Sequence, residues 1–338
     1  MAIFSDYRCH DAGPLLTPYP GKVAVNIVHN VGVFAIAYAA AYCYRQDALV
    51  LLTHLGIVLG LNLVVHSIAI ATIPAIAIQL DGRWCGLTSN ANTLGGIGFI
   101  TLWANGAAVG FTSKAKRTHI GFFLLAVAIL AGTQSMTAII CALSSAGGIY
   151  LLKSYSRSSQ HRSTRTGWVS LAFFLSTLIT ILVFNVETSD WFAVLNRTTT
   201  FSGRVATWQS AIDLISQAPV FGYGFDDNAY ANQITGLPFT TYHNGFLDLA
   251  VRGGLLSLFL LLLLFIRWYR SFKKSRNLPQ FFGTFFLPFL LSSILYNVTE
   301  VSFFAARNLL WIMLLVALII PEISISQPLQ SYQCKDRS

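Results

Sequence analysis

The stretch Gly253-Gly254-Leu-Leu-Ser-Leu-Phe-Leu-Leu-Leu-Leu-Leu-Phe-Ile266 runs directly into Arg267-Trp-Tyr-Arg270-Ser-Phe-Lys273-Lys274-Ser-Arg276. From Leu255 to Ile266 there is no charge, and with the residues back to about 244 the segment reaches the roughly 20 residues that cross about 30 Å of bilayer hydrocarbon. Five basic residues close it and mark the end held in the cytoplasm. This one segment therefore predicts a transmembrane helix and gives it a direction.

Working outward, the same reading predicts nine spans, at about 23–44, 48–70, 91–111, 119–133, 136–152, 168–186, 244–266, 280–297 and 303–320. The chain is 54% hydrophobic and only 10% charged, against about 25% in soluble domains. The fold class is thus an all-α polytopic membrane protein, and a disordered or nucleic-acid-binding chain is excluded. Residues 132–135 read as a tight turn between the fourth and fifth spans, and Met1 to Gly21 lacks the pattern of a cleavable signal.

With the C-terminus inside, fifteen of the 22 basic residues fall on the cytoplasmic side with three acids, a net +12. Seven basic residues and ten acids remain outside, a net −3, the asymmetry of the positive-inside rule. Nine spans then leave the N-terminus outside, which points to a missing N-terminal part or a misjudged span near His66 to Leu80. The predicted organisation is an extracytoplasmic tail (1–22), six spans (23–186), an extracytoplasmic catalytic loop (187–243), three spans (244–320) and a cytoplasmic tail (321–338).

The loop from Glu187 to Tyr242 is too long for a plain connector. In it Val205, Trp208, Ile212 and Ile215 share one helical face, with Ser202 as N-cap, so an amphipathic helix at the membrane surface is expected, ended by Pro219 and the glycines of Val220-Phe-Gly222-Tyr-Gly224. Belt positions are expected for Trp191, Trp268 and Trp311. Asp226-Asp227 reads as a solvated turn rather than a metal site, and neither the six His other than His243 nor the five Cys have a metal-ligand spacing.

Arg204-Val-Ala-Thr-Trp208, Pro219-Val-Phe-Gly222-Tyr-Gly224-Phe and His243-Asn244 followed by Gly254 together resemble the O-antigen ligase and polymerase superfamily, over roughly Asp81 to Arg307. Gly82-Arg83-Trp-Cys-Gly86 with Asn90 and Asn92 resembles its Arg-x-x-Gly…Asn stretch, and Asn297-Val-Thr-Glu300 its Glu before the last span. Met136 stands where many ligases carry an Arg, which favours a polymerase or a divergent member, and the N-terminus is shorter than in typical members.

The resemblance implies a metal-independent glycosyltransferase without cofactor, in a bacterial inner membrane with its site on the periplasmic face. It would move a glycan from an undecaprenyl-pyrophosphate donor to a sugar hydroxyl of a lipid A core or a lipid-linked repeat, among membrane lipids and without nucleic acid. A diphosphate leaving group gains most from guanidinium forks, and a hydroxyl acceptor needs a base that works near neutral pH. His243 and Arg204 are the expected catalytic pair, and Arg83, Arg197, Asn244, Glu300 and Arg307 the expected substrate contacts. Five of them have a plainer alternative: His243 bonded to a backbone carbonyl or water, Arg204 and Arg83 snorkelling, Arg197 anchoring a headgroup, Arg307 paired with Glu300. Arg252, near membrane depth, is a functional candidate by cost alone. The competing class is a non-enzymatic transporter of lipid-linked saccharide or another solute, whose repeat symmetry the sequence does not display.

Overall fold

Inside a bilayer a chain must close its backbone hydrogen bonds internally, and helices do so segment by segment. The computed structural model describes residues 17–45, 47–111, 116–156, 201–236, 241–275 and 280–326. Its helices are α1 (Pro20–Tyr44), α2 (Ala48–Thr72), α3 (Pro74–Ala77), α4 (Ala91–Phe111), α5 (Lys116–Thr133), α6 (Met136–Ser156), α7 (Phe201–Gln217), α8 (Ala229–Thr235), α9 (Gly245–Lys274), α10 (Gln280–Thr299) and α11 (Leu309–Ser326). Among the described residues there is no strand, only an isolated bridge between Ile78 and Trp84.

Six of these helices are long and apolar enough to cross a membrane: Pro20–Cys43, Ala48–Thr72, Lys116–Thr133, Met136–Lys153, Gly245–Lys274 and Phe282–Thr299. α4 occupies the predicted third span but is diluted by Asn92, Thr93, Thr101 and Asn105. The last apolar helix, Leu309–Ser324, is shorter than those six and begins later than the predicted 303. The predicted span at about 168–186 lies outside the described residues, as does Trp191.

The chain divides into two compact units, one of Met1–Ala35, Glu187–Arg267 and Asn297–Trp311, the other of Ile36–Val186, Trp268–Tyr296 and Ile312–Ser338. In the second unit Leu63, Leu94, Ala126 and Ile129 form a buried cluster that joins α2, α4 and α5. Lipid is as apolar as leucine, so such helices associate through close packing and interhelical hydrogen bonds. Gly60 makes room for the Phe122 ring and Gly95 for Ser135 and Ala138. Buried Asn105 donates through Nδ2 to the carbonyls of Gly56 (3.0 Å) and Thr101 (2.9 Å), while its Oδ1 accepts from His119 Nδ1 at 2.8 Å.

The first unit gathers the start of α1, all of α7 and α8, most of α9, the end of α10 and the start of α11. Its core is Ala211, Leu214, Ala231, Tyr242 and Val251, with Ile215, Tyr223 and Leu247 against it. A helix, α7, is present where the amphipathic one was expected, but its buried stripe is Thr207, Ala211 and Leu214, and Ile212 is half exposed. The expected stripe was drawn through the largest apolar side chains, whereas the small Ala211 is what allows close approach. α7 begins at Phe201, which puts Ser202 inside its first turn rather than at its cap. Two expected belt residues are also buried: Trp268 donates through Nε1 to the Ala317 carbonyl, and Trp311 packs on Phe303 and Phe304.

α9 is interrupted at Gly254, which takes φ 63° and ψ −171°. The break frees backbone groups, and the Pro219–Gly224 segment occupies them: Tyr223 N donates to Val251 O and Gly224 N to Arg252 O, both at 2.8 Å, while Leu255 N donates to Pro219 O at 2.7 Å. A Cβ on Gly254 would run into the Val220 carbonyl, and one on Gly222 (φ 67°) into the Val251 carbonyl. These two glycines are required by the contact between their backbones.

Candidate active site

Three chain segments of the first unit meet around Glu300. α10 ends at Thr299, and the turn beyond it is ordered by buried Asn297, whose Oδ1 accepts from Ser302 N (2.8 Å) and Phe303 N (3.1 Å). Gly245 N donates to the Glu300 carbonyl at 3.0 Å, and a side chain at 245 would collide with Asn297. Asn244 caps α9, accepting through Oδ1 from Phe246 N (3.0 Å) and Leu247 N (3.1 Å), and its Nδ2 reaches back to Val298 O at 3.0 Å. The start of α9 is thus pinned to the end of α10, and His243 precedes it in the left-handed region at φ 49°.

The side chains then converge. Arg204, on the first turn of α7, donates through one Nη to the Thr299 carbonyl and through the other to Glu300 Oε1, each at 2.9 Å. Glu300 Oε2 lies 3.7 Å from His243 Nδ1. That distance suits an ion pair with a protonated imidazole but is too long for a hydrogen bond, and among the described residues Nδ1 has no hydrogen-bond partner. Glu300 is nearly buried at 11% exposure, Arg204 is at 23% and His243 at 45%. The cluster is a carboxylate shared between a fixed guanidinium and an accessible imidazole, able to bind an anion, orient a base and hold the proton that base takes up.

Of the residues expected from sequence, His243, Arg204, Glu300 and Asn244 are brought together, with Asn244 as the helix cap. Arg83 belongs to the other unit, where its Nε donates to the Thr133 carbonyl at 2.9 Å and an Nη to Asn92 Oδ1. Arg197 lies outside the described residues. Arg307 is not paired with Glu300; it is exposed and lines a cleft of about 250 Å³ with Lys22, Asn26, His29 and Asp227.

A second polar cluster of the first unit was not foreseen. Arg252 pairs with Asp248 four residues before it at 2.9 Å, and both contact Asn228. Asp248 Oδ1 also accepts from Tyr242 N at 3.3 Å. Burial, then the Asp248 carboxylate, raises the Tyr242 phenol above its ordinary range. Arg252 is therefore neutralised and structural. Asp226, expected in a solvated turn, is fully buried and accepts from Thr17 Oγ1 (3.0 Å) and Tyr230 N (3.1 Å), so it starts α8. The available signal was Asp248, an acid placed i,i+4 to Arg252 at the edge of a span, where unpaired charge is expensive.

Residues 121–262 match the Wzy_C family model, described as O-antigen ligase. This segment, less than half of the chain, is similar to the O-antigen ligase family. The match includes Arg204, Gly222, Gly224, His243, Asn244 and Gly254, so it spans two of the three arms of the cluster; Glu300 stands beyond its end. No curated protein matches the chain. The similarity of this segment to O-antigen ligase and the six candidate spans among the described residues point to a multi-pass membrane protein.

Proposed function

We propose that the chain transfers a glycan from a polyprenyl-pyrophosphate donor to an acceptor sugar hydroxyl, with the chemistry at Arg204, Glu300 and His243 on the periplasmic face of a bacterial inner membrane. The observation that carries this reading is the position of Glu300 between the other two. His243 takes the proton of the acceptor hydroxyl as its oxygen bonds to the anomeric carbon. The bond from that carbon to the phosphate oxygen breaks, and the diphosphate leaves with the electron pair. Before reaction the Arg204–Glu300 pair is neutral beside a neutral imidazole. Once His243 holds the proton, Glu300, which lies 3.7 Å away, is drawn towards it, and the guanidinium is less compensated just as the leaving group gains charge. With Arg204 as the cation at the leaving group, the reaction is proposed to need no metal.

The acceptor is proposed to be a second lipid-linked repeat, as in a polymerase, because Met136 stands where many ligases carry Arg. The test is transfer in proteoliposomes from a polyprenyl-pyrophosphate glycan. His243→Ala should lose on the order of 10²–10⁴-fold in turnover while EDTA leaves the wild type active. Wild-type turnover in the variant removes His243 from the chemistry, and a strict need for added divalent metal removes the metal-free scheme.

A further inference from the structure

Within the first unit, α1 carries Lys22, Asn26 and His29 at i, i+4 and i+7, one stripe of the helix. On the opposite side Ile27, Val31 and Phe34 are each more than half exposed, a surface suited to lipid. Polar groups on such a helix are costly and mark function unless they are paired. This stripe is only partly paired. Asn26 Nδ2 donates to Phe225 O at 2.9 Å and to Asp227 Oδ1 at 3.0 Å. Lys22 Nζ lies 5.0 Å from the centre of the Tyr19 ring. Among the described residues neither Lys22 nor Arg307 forms an ion pair.

All of these groups border the cleft of about 250 Å³, with Lys22, Asn26 and His29 from α1, Asp227 from the turn before α8, and Arg307 from the loop before α11. Three segments distant in sequence thus bring an ammonium, a guanidinium and an imidazole to one opening, facing a single carboxylate already held by Asn26. The excess is one positive charge, and two when His29 is protonated. A guanidinium beside an ammonium suits a tetrahedral anion: Arg bonds two oxygens in its plane and Lys adds a point charge.

We infer that this cleft binds a phosphate ester through Arg307 and Lys22, with His29 as a third donor, at a site separate from the Arg204–Glu300–His243 cluster. It goes beyond the glycan-transfer reading and does not rest on it. The same chemistry is offered by a phospholipid headgroup beside the exposed face of α1 and by free phosphate, and two arms of one experiment separate them. In the first, the full chain is placed in phosphatidylcholine nanodiscs containing spin-labelled phosphatidylglycerol, and the motionally restricted fraction is titrated. In the second, the chain in neutral detergent is titrated calorimetrically with inorganic phosphate.

The Lys22→Gln/Arg307→Gln double variant should bind about tenfold or more weakly. Asp227→Asn, which removes the opposing charge, should bind several-fold more tightly, a gain that misfolding cannot produce. Binding lost by the double variant in the nanodisc arm alone assigns a lipid headgroup; loss in both arms assigns a site open to free phosphate. Equal binding by wild type and double variant in both arms, or no saturable binding in either, overturns the inference.

Discussion

Replacing Glu300 with Gln tests the cluster more sharply than removing either of its partners. Gln keeps the shape and an acceptor oxygen for Arg204, which also keeps its bond to the Thr299 carbonyl, so the loop stays in place. What is lost is the negative charge 3.7 Å from His243 Nδ1. For unit charges at that distance the interaction is about 1 kcal/mol in water and about 4 kcal/mol at the effective dielectric of a protein surface. His243 is 45% exposed, which places the imidazolium stabilisation between these limits, at about 1.5–3 kcal/mol. At about 1.4 kcal/mol per decade, turnover should fall about 10- to 100-fold. Donor KM should stay level or fall, because Arg204 is left uncompensated for the diphosphate. Folding stability should drop by only about 1 kcal/mol, the charge-assisted part of one partly exposed hydrogen bond. The assay is steady-state transfer of labelled glycan in proteoliposomes with thermal unfolding measured alongside. Wild-type turnover in a folded Glu300→Gln protein would refute the shared-carboxylate mechanism.

Arg204→Lys should remain inserted but lose most of its turnover, and Arg204→Ala more, since Lys cannot span Thr299 O and Glu300 together; a fully active Lys variant would make Arg204 an interfacial anchor. Gly254→Ala should destabilise the first unit by about 3 kcal/mol or more, combining a positive φ with a collision at the Val220 carbonyl, seen as a lowered unfolding midpoint; an unchanged midpoint would mean that the helix break is not needed. In a cysteine-free background, cysteines at Ser202 and Thr240 should react with an impermeant maleimide in intact cells and one at Ser275 should not; labelling at Ser275 would reverse the orientation.

Helices were legible wherever length and lack of charge settled the matter, as in α2, α5, α6 and the apolar part of α9. Their ends were less so. α9 runs on to Lys274 because Arg267, Arg270 and Lys273 are good helix formers that end the membrane without ending the helix. The turn set by Asn297 delays α11 to Leu309. The buried face of α7 was misjudged for a related reason: hydrophobic size marks what prefers to leave water, whereas a small Ala211 marks where another element can come near, and only the partner's position tells which rule governs.

The candidate site was legible unevenly, because the sequence pattern mixes residues that build the frame with residues that carry charge. Gly222, Gly224 and Gly254 join the Pro219–Gly224 segment to the break in α9, and Asn244 and Gly245 lock the start of α9 to the end of α10. None of these needs to touch a substrate for the spacing to matter. They set the distance between Arg204 and His243, which are 39 positions apart in the chain, by fixing the backbone that presents each. The charged partner that makes the two act together, Glu300, arrives from a third segment; its motif named it as a substrate contact, but only the fold shows that Arg204 and His243 share it. Arg252 shows the converse case: a charge near membrane depth suggested function, yet its partner four residues earlier neutralises it. Cost identifies charges that must be answered, and geometry decides whether a substrate or the protein's own acid answers them. By that criterion Arg204 is answered by a carboxylate it shares with an accessible imidazole, Arg252 by an acid of its own, and Arg307 by no acid among the described residues.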